Sequence, residues 1–182
     1  MTKARSRIGV MAPALLLALV AIGLGGCRSG SSDKSTGTGA GNAASLRVDT
    51  SPRIPDDEGV LSAVTVDRVT IDGKRHYPVS DGLKSFSTFD RRLQPLLGFE
   101  GRYVQVGLRK GQVVWLGGIA PVVPGGFVYY SGTVRKVDAE RRAYFADGTV
   151  LRLADGVEAP PKGRMVQARI DAAAHRVAAF LG

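Results

Sequence analysis

The 182-residue chain is poor in residues that carry reactions: it has one cysteine, one tryptophan and two histidines. A single thiol excludes an internal disulfide. The sequence also lacks an HExxH metal motif, a GxSxG nucleophile elbow, a P-loop and a dinucleotide fingerprint. His76 falls in a predicted strand and His175 in a predicted turn, neither with a second ligand at metal spacing. We therefore expect no metal, no cofactor, no catalytic residue and no enzymatic activity.

Long hydrophobic runs are absent after Cys27, and the sole run before it is Ile8 to Gly26, 19 residues without a charge. Three basic residues precede this run, and small residues end it. A basic start, an apolar middle and a small-residue end are typical of a signal peptide, which we place at residues 1–26. A retained membrane-spanning helix and an ordinary secreted protein are the alternatives.

The run ends at Leu24, Gly25, Gly26 and Cys27, a tetrapeptide that resembles the lipobox of bacterial lipoproteins. The resemblance implies cleavage before Cys27 and a thioether-linked diacylglycerol on its thiol. It also implies a further acyl chain such as palmitate on the new amino terminus. The protein is then expected to be lipid-anchored to a bacterial membrane and to face outside the cytoplasm. The resemblance does not distinguish the cell membrane from the outer membrane.

Residues 27–59 are predicted to be the lipidated cysteine and a flexible tether rich in Gly and Ser. The composition from Arg28 to Ser45 offers too little apolar surface to offset the entropy of ordering the chain. The acidic run Asp56-Asp57-Glu58 is expected to end the tether as a solvated loop, because it lacks the spacing of a calcium-binding loop.

The rest of the chain contains two similar units, expected at residues 60–119 and 129–182 with a Pro/Gly connector at 120–128. The matched segments are Tyr77–Leu83 with Leu151–Val157, and Gly101–Val106 with Gly163–Ala168. Each unit alternates apolar and polar residues over short stretches, and four Asp-Gly pairs suit tight turns. Strands are expected to pair across residues 109–111 and 171–175.

The units differ mainly by a 12-residue insertion in the first. This insertion is predicted to hold one short helix near residues 88–97, capped by the Ser87 hydroxyl with Asp90 three residues on, stopped by Gly98 and limited by Pro95. Five strands with a helix between the third and fourth resemble the OB-type barrel. The resemblance, which also extends to tandem units of uncharacterised exported lipoproteins, implies an all-β fold of two small five-stranded barrels.

The charge is strongly basic, with 25 Lys and Arg against 16 Asp and Glu. Loss of residues 1–26 removes three basic residues and leaves a net charge of +6. Such a charge favours an anionic envelope polymer or anionic lipid, and another envelope protein is a further partner class. Export disfavours nucleic acid. The candidate binding face comprises Trp115, Tyr129, Tyr130, Arg135, Arg141 and Arg142.

The sequence therefore favours a non-catalytic binding or adaptor module of the cell envelope. The alternative is an exported enzyme or accessory subunit with a site between the two barrels.

Overall fold

The structure, a computed structural model, describes Val48, Asp49 and residues 51–181. The lipobox and most of the expected tether lie outside the described residues. The described part is all-β, with ten strands and no α-helix. The strands are β1 (Asp57–Val64), β2 (Arg68–Ile71), β3 (Arg75–Ser87), β4 (Arg102–Arg109), β5 (Gln112–Pro121), β6 (Phe127–Val137), β7 (Arg142–Phe145), β8 (Val150–Arg152), β9 (Met165–Asp171) and β10 (Arg176–Leu181).

The first five strands pair in the order β1-β2-β3-β5-β4, and β4 returns to pair with β1. All of these pairings are antiparallel except β3 with β5, which is parallel. The first unit is therefore one continuous sheet in which each strand has two neighbours.

The second five strands form a sheet in the order β10-β9-β6-β7-β8. Its antiparallel pairings repeat those of the first unit: the first strand pairs with the second and the fourth, and the fifth pairs with the fourth. The parallel contact between third and fifth strands is reduced to one bridge, Leu153 with Val177. The predicted all-β class and the two sets of five strands are confirmed.

Both predicted hairpins are confirmed. β4 pairs with β5 across Lys110 and Gly111, whose φ angles of 52° and 77° suit a tight turn. β9 pairs with β10 across a turn that ends at His175, with φ 54°. The short-range pattern of apolar alternation and turn residues thus predicts the strand neighbours correctly.

The helix predicted near residues 88–97 is wrong. The segment contains a bridge from Phe86 to Leu93, and the nearest helical geometry is a 3₁₀ turn at Leu96–Phe99. Arg91 adopts φ 59°, which no α-helix interior accepts. Pro95 precedes the 3₁₀ turn and removes a backbone donor that a longer helix would need.

One Asp-Gly pair also behaves differently from the prediction. Asp81 and Gly82 lie inside β3, where the register against β5 shifts between Val79 and Lys84. The pair occupies an irregularity in the strand, not a turn, because the bulge takes up the extra residues.

The acidic run Asp56-Asp57-Glu58 also differs from its prediction as a solvated loop. Asp57 and Glu58 are the first two residues of β1.

Two hydrophobic cores lie side by side. The first is enclosed by the first sheet and includes Leu61, Val104, Val106 and Leu116. The second is built mainly from β6 to β10, but it also takes Tyr103 and Ile119 from the first sheet. Because strands β4 and β5 supply side chains to both cores, the two sheets share apolar packing and belong to one compact unit.

Candidate functional site

Strand β4 forms the junction between the two sheets. Successive side chains of a strand point to opposite faces, so Val104 and Val106 enter the first core while Gln105 points toward the second sheet. The Gln105 amide donates hydrogen bonds to the carbonyl of Val150 at 2.5 Å and to Oε2 of Glu58 at 3.1 Å. Both amide donors are used, and the side chain is almost fully buried. Gln105 therefore joins β1, β4 and β8 at one point.

A carboxylate network lies beside this junction and is centred on Arg75 of β3. Its guanidinium contacts the carboxylates of Asp57 and Asp72 and donates to the carbonyl of Glu58 at 2.9 Å. The Tyr77 hydroxyl donates to the second oxygen of Asp57 at 2.7 Å, and this hydrogen bond raises the pKa of Tyr77. A guanidinium shared by two carboxylates holds β1, β3 and the β2–β3 turn in fixed positions.

Gly59 makes the network sterically feasible. A Cβ atom at this position would lie 2.5 Å from Oδ2 of Asp72 and 2.7 Å from Nη2 of Arg75. Both distances are shorter than real contacts, so a side chain here would displace the ion pair. Asp72 in turn accepts a hydrogen bond from the backbone N–H of Val60 at 2.7 Å. The backbone of β1 thus approaches the charged groups as closely as glycine permits.

His175 connects the second unit to this network. Its Nε2 lies 2.9 Å from Oδ2 of Asp72, 103 positions away in sequence. The imidazole also packs edge-on against the ring of Tyr103, with centroids 6.1 Å apart. Both partners belong to the first unit, so the β9–β10 turn is held against β4 and the β2–β3 turn by one polar and one aromatic contact.

Glu58 is a half-buried carboxylate of the site. Burial raises its pKa above the usual value of 4.5, although the Gln105 hydrogen bond, His175, Tyr103 and Arg152 oppose the rise. The Tyr103 hydroxyl is buried nearby and has no hydrogen-bond partner among the described residues. Burial, and then the charge of Glu58, raises the pKa of Tyr103. Glu58, which lines the cleft described next, and the buried Tyr103 hydroxyl are therefore both partly desolvated.

The cleft has a volume of about 230 Å³ and lies where the edge of β1 meets β8 and β10. Its charged lining combines carboxylates with basic groups: Asp56, Asp57, Glu58, Arg142, Arg152, His175 and Arg176. Several of these groups are already engaged. Asp56 accepts the N–H of Leu108 at 2.6 Å, and Arg142 pairs with Asp138 and Glu140.

Two basic side chains of the cleft, Arg152 and Arg176, are not engaged in ion pairs within the described part of the chain. Arg152 is exposed and Arg176 is half-buried. Guanidinium groups offer paired N–H donors that match the oxygens of a carboxylate or phosphate. The arrangement can therefore bind an anionic group at the mouth of the cleft.

Among the described residues, no group of three His, Cys, Asp or Glu side chains is arranged to hold a metal ion.

The six residues of the predicted binding face lie in different parts of the structure. Arg142 alone lines the cleft, where it is held by Asp138 at 2.7 Å. Tyr130 is buried, with its hydroxyl bonded to Asp147 at 2.7 Å. Arg141 donates to the carbonyls of Ala154 and Val157 at 2.9 and 2.7 Å and braces a loop.

The other three residues of the predicted face lie elsewhere. Tyr129 and Arg135 are exposed on β6. Trp115 is half-buried on β5 and stacks on Phe86, with ring centroids 6.2 Å apart. The structure therefore does not bring these three residues to the cleft.

Sequence reasoning missed Asp57, Glu58, Asp72 and Arg75 as site residues. Two features of the sequence pointed to them: the acidic run lies immediately before the first strand, and Asp72 belongs to an Asp-Gly turn. The contact of His175 with Asp72 could not be predicted from the sequence, because it depends on how the two sheets pack.

The chain matches no family model, and its comparison with curated proteins finds no significant relative.

No helix in residues 51–181, or in the two described residues before them, has the length and apolar character needed to cross a bilayer.

Proposed function

We propose that this protein is a lipid-anchored, extracytoplasmic binding module of the bacterial cell envelope. Cys27 at the end of the lipobox-like tetrapeptide supports the anchor. The observation that carries binding is the cleft between the sheets, where Arg152 and Arg176 form no ion pair with another described residue. A domain fixed by Gln105 and His175 at its junction presents these arginines on a rigid support.

We further propose that each unit is a small OB-like barrel and that the pair arose from one repeated unit. The second sheet has the same sequence of neighbours as the first, including a parallel contact between its third and fifth strands. Gly101 and Gly163, matched by the internal repeat, both take positive φ just before the fourth strand of their units, at 77° and 83°.

The ligand we favour is an anionic envelope polymer or anionic lipid headgroup, recognised through its phosphate or carboxylate groups. The cleft is small, so it accommodates one charged group of a larger ligand and not an extended chain. The excess of basic over acidic residues would raise the local concentration of such ligands around the anchored domain.

The anchor is tested by the mass of the mature amino terminus in the native host. Acylated Cys27 as the first residue is the expected result, and incorporation of labelled palmitate should be lost in Cys27→Ser. An unmodified Cys27 or a retained Met1 would overturn the anchor.

The cleft is tested by equilibrium binding of the purified chain to two probes, sodium polyphosphate and phosphatidylglycerol vesicles. Arg152→Gln combined with Arg176→Gln should weaken binding about tenfold or more, since each replacement removes a charge-assisted contact. Arg135→Gln together with Lys136→Gln is the matched control, because it removes the same charge from β6 outside the cleft. Equal weakening in both variants would assign binding to overall charge and overturn the cleft.

A second function, an exported enzyme or accessory subunit with its site at this junction, is favoured by Glu58. A partly desolvated carboxyl group in the wall of a cleft, with its pKa raised by burial, is a candidate for proton transfer. Glu58→Gln keeps the shape of the side chain and removes its titration. If envelope extracts show a turnover that depends on the wild-type protein and is lost in Glu58→Gln, the enzyme hypothesis replaces the binding module.

A further inference from the structure

The end of β3 continues into a short hairpin, residues 85–94, which replaces the expected helix. The Gln94 N–H donates to the carbonyl of Ser85 at 2.9 Å, and the Ser87 N–H donates to the carbonyl of Arg92 at 3.1 Å. Phe86 and Leu93 lie between these two hydrogen-bonded pairs and form an antiparallel β-bridge. The segment between the two arms is therefore a tight tip. We call the whole segment the 85–94 hairpin.

The tip contains two buried residues, Thr88 and Arg91, and Thr88 fixes it to the body of the protein. Thr88 bonds the carbonyl of Gly118 through both its N–H, at 2.9 Å, and its hydroxyl, at 3.2 Å. The Arg91 guanidinium lies 4.2 Å from the centre of the Phe86 ring. Phe89 lies between these two buried residues and is 86% exposed. A large apolar ring is thus held outward on a fixed loop. A flexible loop would leave the ring free to fold back onto the protein.

The tip is also the place where the chain from Cys27 reaches the described structure. The Val48 N–H donates to the carbonyl of Arg91 at 2.8 Å, and the Arg91 guanidinium donates to the carbonyl of Asp49. Cys27 and Val48 are 21 positions apart in the sequence. A span of that length cannot exceed about 75 Å even when fully extended. Val48 and Asp49, the first described residues after Cys27, therefore contact the loop that carries Phe89.

The surroundings of Phe89 match a bilayer surface chemically. Leu93 in the hairpin and Leu97 just after it are 43% and 68% exposed. Arg92 is 66% exposed at its side chain, and its only ion pair among the described residues is a long contact of 3.6 Å to Asp90. Aromatic and leucine side chains next to a solvated arginine are the combination that interfacial membrane segments use.

We propose that the 85–94 hairpin docks on the lipid surface, with Phe89 inserted among the headgroups and Arg92 paired with anionic lipid. This inference rests on the proposed lipid anchor at Cys27, because the anchor supplies the membrane and keeps it near. Docking would orient the domain with its tether-entry side toward the bilayer. The acyl chains would provide attachment, and the hairpin would determine which face of the domain looks away from the membrane.

The test uses the full acylated chain reconstituted into vesicles with dansyl-labelled headgroups. Trp115 is the only tryptophan, and it stacks on Phe86 in the hairpin, so its energy transfer to dansyl reports how close this region lies to the lipid. Phe89→Ser should lower the ratio of docked to undocked domain about tenfold, the loss expected when one buried aromatic side chain is removed. Transfer should therefore decrease, while the mutant still sediments with the vesicles.

Val66→Ser is the matched control, because Val66 is a fully exposed apolar residue in the bend between β1 and β2. Its transfer should equal that of the wild type. Arg92→Gln should lower transfer on phosphatidylglycerol vesicles and leave it unchanged on phosphatidylcholine vesicles. Equal transfer in Phe89→Ser and wild type would overturn the proposal, as would an equal decrease in Val66→Ser. A cross-linker placed at position 89 in cells that captures protein and no lipid would also overturn it.

Failure of the anchor and failure of docking give different results. The mass of the amino terminus reports acylation before any transfer is measured. Unacylated protein contradicts the proposed anchor, whereas acylated protein with transfer insensitive to Phe89 contradicts only the docked hairpin.

Discussion

His175 and Asp72 form a contact between the two units, with Nε2 of the imidazole 2.9 Å from Oδ2 of the carboxylate. Asp72 lies in the turn between β2 and β3, and His175 ends the turn between β9 and β10. The same oxygen of Asp72 also contacts Arg75. One carboxylate therefore links a turn of the second unit to the charged network of the first.

Replacing Asp72 should weaken the association of the two sheets. Asp72→Asn removes the charge that Arg75 and His175 share, so we expect the free energy of unfolding to fall by about 1–2 kcal/mol. Chemical denaturation measures the change. Asp81→Asn is the control, because Asp81 is an exposed carboxylate of β3 and should leave stability unchanged. A double-mutant cycle with His175→Ala should show coupling, and strict additivity of the two changes would contradict a direct contact.

Gly107 should not tolerate a side chain. A Cβ atom at this position would lie 1.8 Å from Nε1 of Trp115, so Gly107→Ala must displace the indole. We expect a loss of about 1–3 kcal/mol in the free energy of unfolding and altered Trp115 fluorescence in the folded state. Gly82→Ala serves as the control, since a Cβ atom there meets nothing within 4 Å and the φ angle is not positive. Equal stability of both variants would contradict the described packing of Trp115.

Glu58 should make the folded state less stable as the pH rises. Burial raises its pKa above 4.5, so the folded protein holds this proton more tightly than the unfolded chain. Between the unfolded and folded pKa values, stability from this group falls with increasing pH, and above the folded pKa the loss is complete. Glu58→Gln cannot titrate and should gain stability relative to wild type as the pH rises from 4.5 upward. Denaturation at several pH values measures the difference, and a constant difference would contradict the prediction.

Asp138 should make the folded state less stable as the pH falls into the acid range, the opposite of the Glu58 effect. Burial alone would raise its pKa, but hydrogen bonds from the backbone and guanidinium of Arg142 and from Tyr144 outweigh it and lower the pKa to about 2. A lowered pKa stabilises the folded state above 3.8, and that stability is lost as the pH falls toward 2. Asp138→Asn should therefore flatten acid unfolding in this range. Thermal melting between about pH 2 and 5 tests it, with Asp155→Asn as an exposed control.

Local patterns in the sequence predicted much of the fold. Turn residues such as Lys110 and Gly111, flanked by alternating apolar residues, identify strands that are neighbours in both sequence and space. The internal repeat likewise anticipated the matching order of strands in the two sheets. These features depend on interactions among nearby residues, and such interactions leave a periodic trace in the sequence.

The candidate site depends on contacts that leave no such trace. Gln105 meets Val150, and Asp72 meets His175, only after the two sheets have packed. The insertion shows the limit of local reasoning as well. Its capping and leucine pattern favours a helix, but Arg91 at φ 59°, Thr88 bonded to Gly118 and the Phe86–Leu93 bridge stabilise a hairpin instead. The lipid anchor lies outside the described residues and stays a prediction.

Strand β4 is buried on both faces, because it supplies side chains to both hydrophobic cores. This burial determines whether either half of the protein can fold without the other. Tyr103 belongs to the hydrophobic core of the second sheet although the first half of the chain encodes it. A polypeptide that begins after β5 would expose the face that Tyr103 and Ile119 cover, and one that ends there would leave both side chains in water. Each half of the chain therefore covers apolar surface of the other, and we expect neither half to fold stably when it is produced alone.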